Sequence, residues 1–369
     1  MVYRHSQVKG IVLALPFGLL FIGIAVYVNV HKPPGPPATE AAYGVNVDMT
    51  ALIPGTAYTI ATANGGDFFT LATQLGINTL RITDIQWEIT GGEYPQAIWH
   101  HVFDEAEHHH MHVILLLMDG KGHSAIQQAH VLLDGYGLAH ASALWLVDLY
   151  NEPNLSDSRL MTMLREEAAY VHQVAPGVPI TIGGWKSQVQ GHPQEFRWQN
   201  PTDIPRFINL VDVVSAHLYQ FAQGALLGFT PQQWTQRFLS AVRHEAPHKP
   251  ILLEEFGAGN GLASTTEPTA TGSPEWQASV YRGVLQEVSA ERDQGVIGAL
   301  AWIIAPRPAW PHPNTNSYGG DMSGWAFVLN HGQRLLPASK IFSVVEHVEQ
   351  QETITPVMHS YRTKQGYSN

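Results

Sequence analysis

LWLVDLYNEPN, residues 144–154, is apolar and strand-forming for most of its length and then closes on an amide, a carboxyl and a proline. Seven other short apolar runs punctuate the chain: YGVNVD from Tyr43, NTLRIT from Asn78, HVILLLM from His112, VPITIGG from Val178, VDVVSAHLY from Val211, PILLEEF from Pro250 and VIGALAWII from Val296. Longer amphipathic stretches separate them, which is the pattern of βα units repeated around a parallel sheet. With starts at 43, 78, 112, 144, 178, 211, 250 and 296, the spacing suits one strand and one helix per unit. Eight units in series predict a closed α/β barrel, the (β/α)8 or TIM fold.

The segments between the runs read as helices. In SDSRLMTMLREEAAYVHQVA, Ser156 or Ser158 can cap the N-terminus, and Leu160, Met163, Leu164 and Ala168 share one face. A doubly wound open sheet is the alternative architecture. It would usually carry a Gly-rich phosphate loop after its first strand, and VNVDMTALIPG offers none.

Composition narrows the function classes. The 369 residues are 44% hydrophobic and 14% charged, enough for a large core. A net charge of -11, from 20 Lys+Arg against 31 Asp+Glu with no basic cluster, argues against nucleic acid as a partner. The absence of cysteine excludes thiol catalysis, Cys-ligated zinc and disulfides.

The N-terminus differs from the rest. Ile11–Val30, IVLALPFGLLFIGIAVYVNV, is long and apolar enough to read as a transmembrane signal-anchor helix. Arg4 and Lys9 before it place residues 1–10 in the cytoplasm and the remainder outside; a cleaved signal peptide, with secretion, is the competing reading. Residues 31–42, rich in proline, form a stiff linker; 43–350 form the barrel; 351–369 form a polar tail. Sequence thus predicts a membrane partner through the N-terminal helix.

In a (β/α)8 barrel functional side chains gather where strands end. The fourth run closes in Asn151-Glu152-Pro153 and the seventh in Glu254-Glu255-Phe256-Gly257, so both present carboxyls at the same face. Two carboxyls across a narrow mouth can divide the work of glycoside cleavage, one protonating the leaving oxygen and the other attacking the anomeric carbon. The alternation Ile251, Leu253, Glu255 puts Glu255 on the inner face and leaves Glu254 as a structural residue at the rim.

From Tyr43 to Val345 the chain resembles the retaining glycoside hydrolases of clan A, most closely family five, the cellulase and mannanase family. LYNEPN and LLEEFG carry the resemblance. It implies that Glu152 is the general acid/base, Glu255 the nucleophile, and Asn151 a hydrogen-bond partner of the sugar 2-hydroxyl. It implies further that Arg81 keeps the nucleophile anionic and that His217 and Tyr219 face nucleophile and substrate. Trp302 would floor a sugar subsite. The family often has a histidine closing the third strand; here LLLMDGKGH offers Asp119 and His123, with no role assigned.

No cofactor is implied. The run Glu107-His108-His109-His110-Met111-His112, with His101 near Glu105, reads as a solvent-facing helix end and not as a metal site. Of the ten tryptophans, Trp99, Trp145, Trp234 and Trp276 read as core, while Trp87, Trp185, Trp198, Trp310 and Trp325 are candidates for sugar contact. The expected activity is retaining hydrolysis of a β-linked oligo- or polysaccharide of glucan or mannan type. A non-catalytic carbohydrate-binding surface protein and a transglycosylase are the alternatives.

Overall fold

The computed structural model describes residues 41–56, 58–61, 66–118, 122–153, 157–188, 197–198, 208–261, 272–306 and 325–343, of which 185–188 and 197–198 are described by backbone alone. Eight strands fall on the eight apolar runs: β1 (Ala42–Asp48), β2 (Thr79–Thr83), β3 (His112–Leu116), β4 (Leu144–Asn151), β5 (Ile180–Gly183), β6 (Val214–Leu218), β7 (Ile251–Phe256) and β8 (Val296–Ala301). Their order in the sheet is β5-β4-β3-β2-β1-β8-β7-β6, and every adjacent pair is parallel. The ring closes through the chain beyond β5. Gly184, at φ +103, breaks the strand, and Trp185 and Lys186 then pair in parallel with Ala216 and His217 of β6. The hydroxyl of Thr181 ties the same seam from the side, donating to Val213 O at 2.8 Å and lying 2.9 Å from the Ser215 hydroxyl, which is free to donate to it. The result is a TIM barrel.

Crossover helices cover the outside: α1 (Phe68–Gln74), α2 (Gln96–His108), α3 (Ala125–Ala129), α4 (Ser158–Val174), α5 (Pro231–Glu245) and α6 (Pro274–Ala290). On α4 the buried residues Met161, Leu164, Ala168 and Val171 recur every three or four positions, which lays one apolar stripe on the barrel wall. Its cap is Asp157, whose carboxylate accepts from the amides of Arg159 and Leu160. A carboxylate satisfies these orphan donors and also complements the helix dipole, so it wins over Ser158, which becomes the first helical residue. Ser156 lies outside the described residues. On α5, Thr230 and Gln233 form a reciprocal capping box with Pro231 in the first turn.

The expectation of a transmembrane helix is corrected. Among the described residues no helix is long and apolar enough to cross a membrane. The longest, α4 and α6, have 17 residues each. At ~1.5 Å per residue they fall short of a hydrocarbon core of ~30 Å, and both carry charges, such as Glu167 and Glu287. Ile11–Val30, on which the anchor rested, lies outside the described residues, as do the flanking segments 1–10 and 31–40 and the tail 351–369. The membrane partner and the membrane-anchored localisation drawn from that segment are corrected with it.

Candidate active site

Strand alternation and strand ends bring a polar cluster to the C-terminal mouth of the barrel. Arg81, on β2, is fully buried and forms its centre. Its Nη1 donates to Glu255 Oε1 at 2.8 Å and Asn46 Oδ1 at 2.8 Å. Its Nη2 donates to Asp148 Oδ2 at 2.6 Å and Asn151 Oδ1 at 2.9 Å, and Nε adds a 3.1 Å bond to Asp148 Oδ2. Burial alone would weaken the guanidinium's hold on its proton, but Glu254, Asp148 and Glu255 together push its pKa above the usual value. Asp148 moves up to about 7, because burial and the charge of Glu254 outweigh Arg81 and the Gly183 amide.

Glu255 ends this network at the mouth. Tyr219, just past β6, donates its hydroxyl to Glu255 Oε2 at 2.5 Å, and His217 Nδ1 lies 3.3 Å from the same oxygen. Donors therefore face both carboxylate oxygens, an arrangement complementary to an anion. Burial and the neighbouring Glu255 push the Tyr219 phenol up, which keeps it a donor.

Glu152 follows β4 with φ +52, in the left-handed region. For a residue with a Cβ that conformation costs on the order of 1 kcal/mol or more. The strand end holds it there: its amide donates to Gly183 O at 2.8 Å. Gly184 makes room, since a Cβ at that position would sit 2.6 Å from Glu152 Cγ. The turn brings Glu152 Oε1 to 2.9 Å from His217 Nδ1. His217 is fully buried beneath both carboxyls. Burial would lower its pKa, but Glu255, the bond to Glu152 and the proximity of Glu254 raise it to about 9.

Glu254 is not at the rim. It is fully buried, with Oε1 at 3.3 Å from Arg81 Nε and Oε2 at 3.7 Å from His217 Nε2. Strand alternation fails here because β7 is irregular. Its register with β6 shifts between Leu253 and Glu255, and its register with β8 shifts between Leu253 and Phe256. A bulge of this kind turns two consecutive side chains toward one side.

All the sequence-predicted residues except Trp302 thus share one hydrogen-bonded or ion-paired cluster: Arg81, Asn151, Glu152, His217, Tyr219 and Glu255. Trp302 sits beyond β8, half-buried, with its amide bonded to Phe256 O at 2.7 Å, one residue past Glu255. Trp325 meets the Tyr219 ring edge to face at 5.7 Å. Trp87 is buried on the short helix Ile85–Thr90, and its ring lies 5.6 Å from that of His123. Trp99, Trp145 and Trp234 are core residues, and Trp276 packs partly buried against the core. Asp119 and Trp310 lie outside the described residues, as do the side chains of Trp185 and Trp198.

Three members of the cluster escaped the sequence reading, Asn46, Asp148 and Gly183, and a fourth, Glu254, was read as a rim residue. Asn46 and Asp148 stood as lone polar residues inside the apolar runs of β1 and β4, and a buried polar group needs a partner. That signal was available.

Donor atoms of Glu152, His217 and Glu255 lie within 4.8 Å of one another, as do those of Asp67, Glu105 and His109. In the first group, Glu255 is engaged by Arg81 and Tyr219, and His217 Nδ1 is engaged by Glu152. The second group lies at the surface, with Asp67 occupied in capping α1.

No family model matches the sequence, and no curated protein matches it. Solved structures do. An endo-1,4-β-D-mannanase from Thermotoga petrophila aligns with a TM-score of 0.56 at 16% identity, covering 83% of this chain and 99% of that one. A GH53 catalytic domain from Ignisphaera aggregans gives 0.57 at 18%, covering 85% and 98%. A family 5 mannosidase from Rhizomucor miehei gives 0.52 at 12%, covering 85% and 95%. At such identities the likeness defines the fold alone, a TIM barrel that these enzymes share.

Proposed function

We propose that the protein is a retaining glycoside hydrolase, most like family five, that cleaves a β-linked glycan with Glu255 as nucleophile and Glu152 as general acid/base. One observation carries this reading: a Glu152 oxygen and a Glu255 oxygen lie within 4.8 Å of each other at the barrel mouth. Carboxyls roughly 5–5.5 Å apart suit double displacement, whereas inverting enzymes leave about 6.5–9.5 Å for a water.

Glu255 attacks the anomeric carbon as the bond to the leaving oxygen breaks, and Glu152 gives its proton to that oxygen. Water, deprotonated by Glu152, then releases the sugar from Glu255 and restores both groups. The Glu152 side chain is 24% accessible, open to a leaving oxygen and to water, and that of Glu255 5%. Arg81 and Tyr219 hold Glu255 by both oxygens. Asn151 spends its carbonyl oxygen on Arg81, which leaves its NH2 to donate to a sugar 2-hydroxyl. Trp302 offers a ring for stacking against the sugar. The mannanase and mannosidase that share the fold make β-mannan the first substrate to try, beside β-glucan.

The test is Glu255→Ala assayed on an aryl β-glycoside with and without azide. Hydrolysis should vanish, and azide should restore turnover to a glycosyl azide of inverted configuration. Undiminished hydrolysis by the variant would refute the assignment. Wild-type protein that binds glycans without turnover would instead mark a non-catalytic binding protein, and products longer than the substrate a transglycosylase.

A further inference from the structure

Glu254 is a buried ionisable group beside the site that the reaction just proposed leaves unused. Glu254 has no accessible surface, and neither of its carboxylate oxygens has a hydrogen-bond partner among the described residues. Its nearest cationic atoms are Arg81 Nε at 3.3 Å and His217 Nε2 at 3.7 Å. A buried carboxylate without hydrogen bonds is costly to keep, so it is held there by the charges it faces, Arg81 and His217. Its contribution must come from its charge.

The geometry around His217 indicates what that charge does. Nδ1 faces Glu152 at 2.9 Å and Glu255 at 3.3 Å, and Nε2 faces Glu254. Either neutral tautomer would aim a lone pair at a carboxylate: at the anionic Glu255 if the proton sat on Nε2, at Glu254 if it sat on Nδ1. Only the imidazolium offers an N–H to each side.

We propose that Glu254 is a positioning residue that keeps His217 doubly protonated while negative charge passes between Glu255 and Glu152 in each catalytic cycle. The inference rests on the function proposed above for the charge movement, but not for the state of the free protein. When Glu255 bonds to the anomeric carbon it loses its charge, and Glu152, having given its proton to the leaving oxygen, gains one. The Nδ1–H serves whichever carboxylate is charged, while Glu254 holds the opposite nitrogen unchanged. Around this pair stand Arg81 from β2, Asp148 and Glu152 from the β4 end, and Tyr219 and Glu255. The raised proton affinity of His217 agrees with the geometry.

The experiment compares wild type, Glu254→Gln and Glu254→Asp in protein labelled with 15N-histidine, with the His217 signals identified by their loss in His217→Gln. In wild type both ring N–H groups should persist to about pH 8, as a folded-state midpoint near 9 requires. In Glu254→Gln the midpoint should fall by one pH unit or more, and the alkaline limb of kcat/KM should move down with it. Glu254→Asp keeps the charge at a longer reach and should fall between the two. A purely structural Glu254 would lower thermal stability and leave the midpoint in place. An unmoved midpoint in Glu254→Gln overturns the proposal, as does an unmoved one in Glu254→Asp if the Gln variant does not fold. Should wild type turn over no glycoside, the proposed function fails, but the NMR titration still decides the role of Glu254.

Discussion

Replacing Gly183 by alanine tests whether the buried charge cluster is as tightly closed as its distances state. Gly183 ends β5 directly against the network. A Cβ there would sit 2.5 Å from Glu254 Oε2 and 2.9 Å from both Arg81 Nη2 and Asp148 Oδ2. Comfortable contact needs about 3.5 Å or more, so Glu254 would have to retreat by about 1 Å and Arg81 and Asp148 by about 0.6 Å each. None can do so freely, since Arg81, Asp148 and Glu254 are all fully buried. Overpacking alone costs about 1–3 kcal/mol, and separating a buried ion pair about 3–5 kcal/mol. A loss on the order of 4 kcal/mol lies between these limits. At roughly 2–4 °C per kcal/mol, Tm should drop by about 8 °C or more. The assay is thermal unfolding followed by calorimetry or circular dichroism. Gly295→Ala is the control: its φ is +89 but no atom lies within 4 Å of the added Cβ, so only the cost of a left-handed residue remains, about 1 kcal/mol. A Gly183→Ala Tm equal to wild type, or to the control, would refute the packing argument.

Two further outcomes follow from the same distances. Tyr219→Phe removes a 2.5 Å hydrogen bond to Glu255, and a bond to a charged group is worth about 1.5–3 kcal/mol, so kcat/KM on an aryl β-glycoside should fall roughly 10- to 100-fold; an unchanged rate would remove Tyr219 from the machinery. At the opposite end of the barrel, Asp212 accepts from His172 Nε2 at 3.0 Å and from the Ile180 amide at 3.0 Å. Burial would raise the Asp212 pKa, but these partners hold it below the usual carboxylate value. The resulting stability is present above the unfolded pKa of about 3.9 and is lost as pH falls through the lowered folded value. Asp212→Asn should therefore lower Tm at neutral pH and flatten its fall on acidification, read by scanning calorimetry from pH 6 to pH 3; parallel wild-type and variant curves would count against this pairing.

The barrel was legible because its signal is periodic and repeated. One apolar run of five or six residues is ambiguous between strand and helix, but eight of them at the spacing of a βα unit leave few architectures. The site was legible where a polar residue closes an apolar run, as Asn151, Glu152 and Glu255 do. Residues inside the runs, Asn46 and Asp148, were harder to see because strand alternation gives a direction for a side chain but not a partner. Asp148 needs Arg81, 67 residues earlier in the chain, and their adjacency is created only when β2, β3 and β4 align. The N-terminal expectation rested on length and hydropathy in Ile11–Val30, which lies outside the described residues, and among the described ones no helix is long and apolar enough to cross a membrane.

Glu254 shows where a local rule gives way to a tertiary one. Alternation along Ile251, Leu253 and Glu255 assumes an unbroken pleat, and on that assumption consecutive glutamates must face opposite ways. The register of β7 slips against both neighbours, and the slip allows both carboxyls to reach Arg81. No propensity in ILLEEF announces a bulge. The cause lies across the barrel: a guanidinium with no access to water gathers every anion in reach, and Gly183, without a side chain, leaves the space in which Glu254 can answer it. The same bulge places a fixed negative charge behind His217 and a second one, Glu255, in front of it. A strand with perfect alternation would present Glu255 alone, and His217 would then face carboxyls through Nδ1 only, with nothing to hold the proton on Nε2.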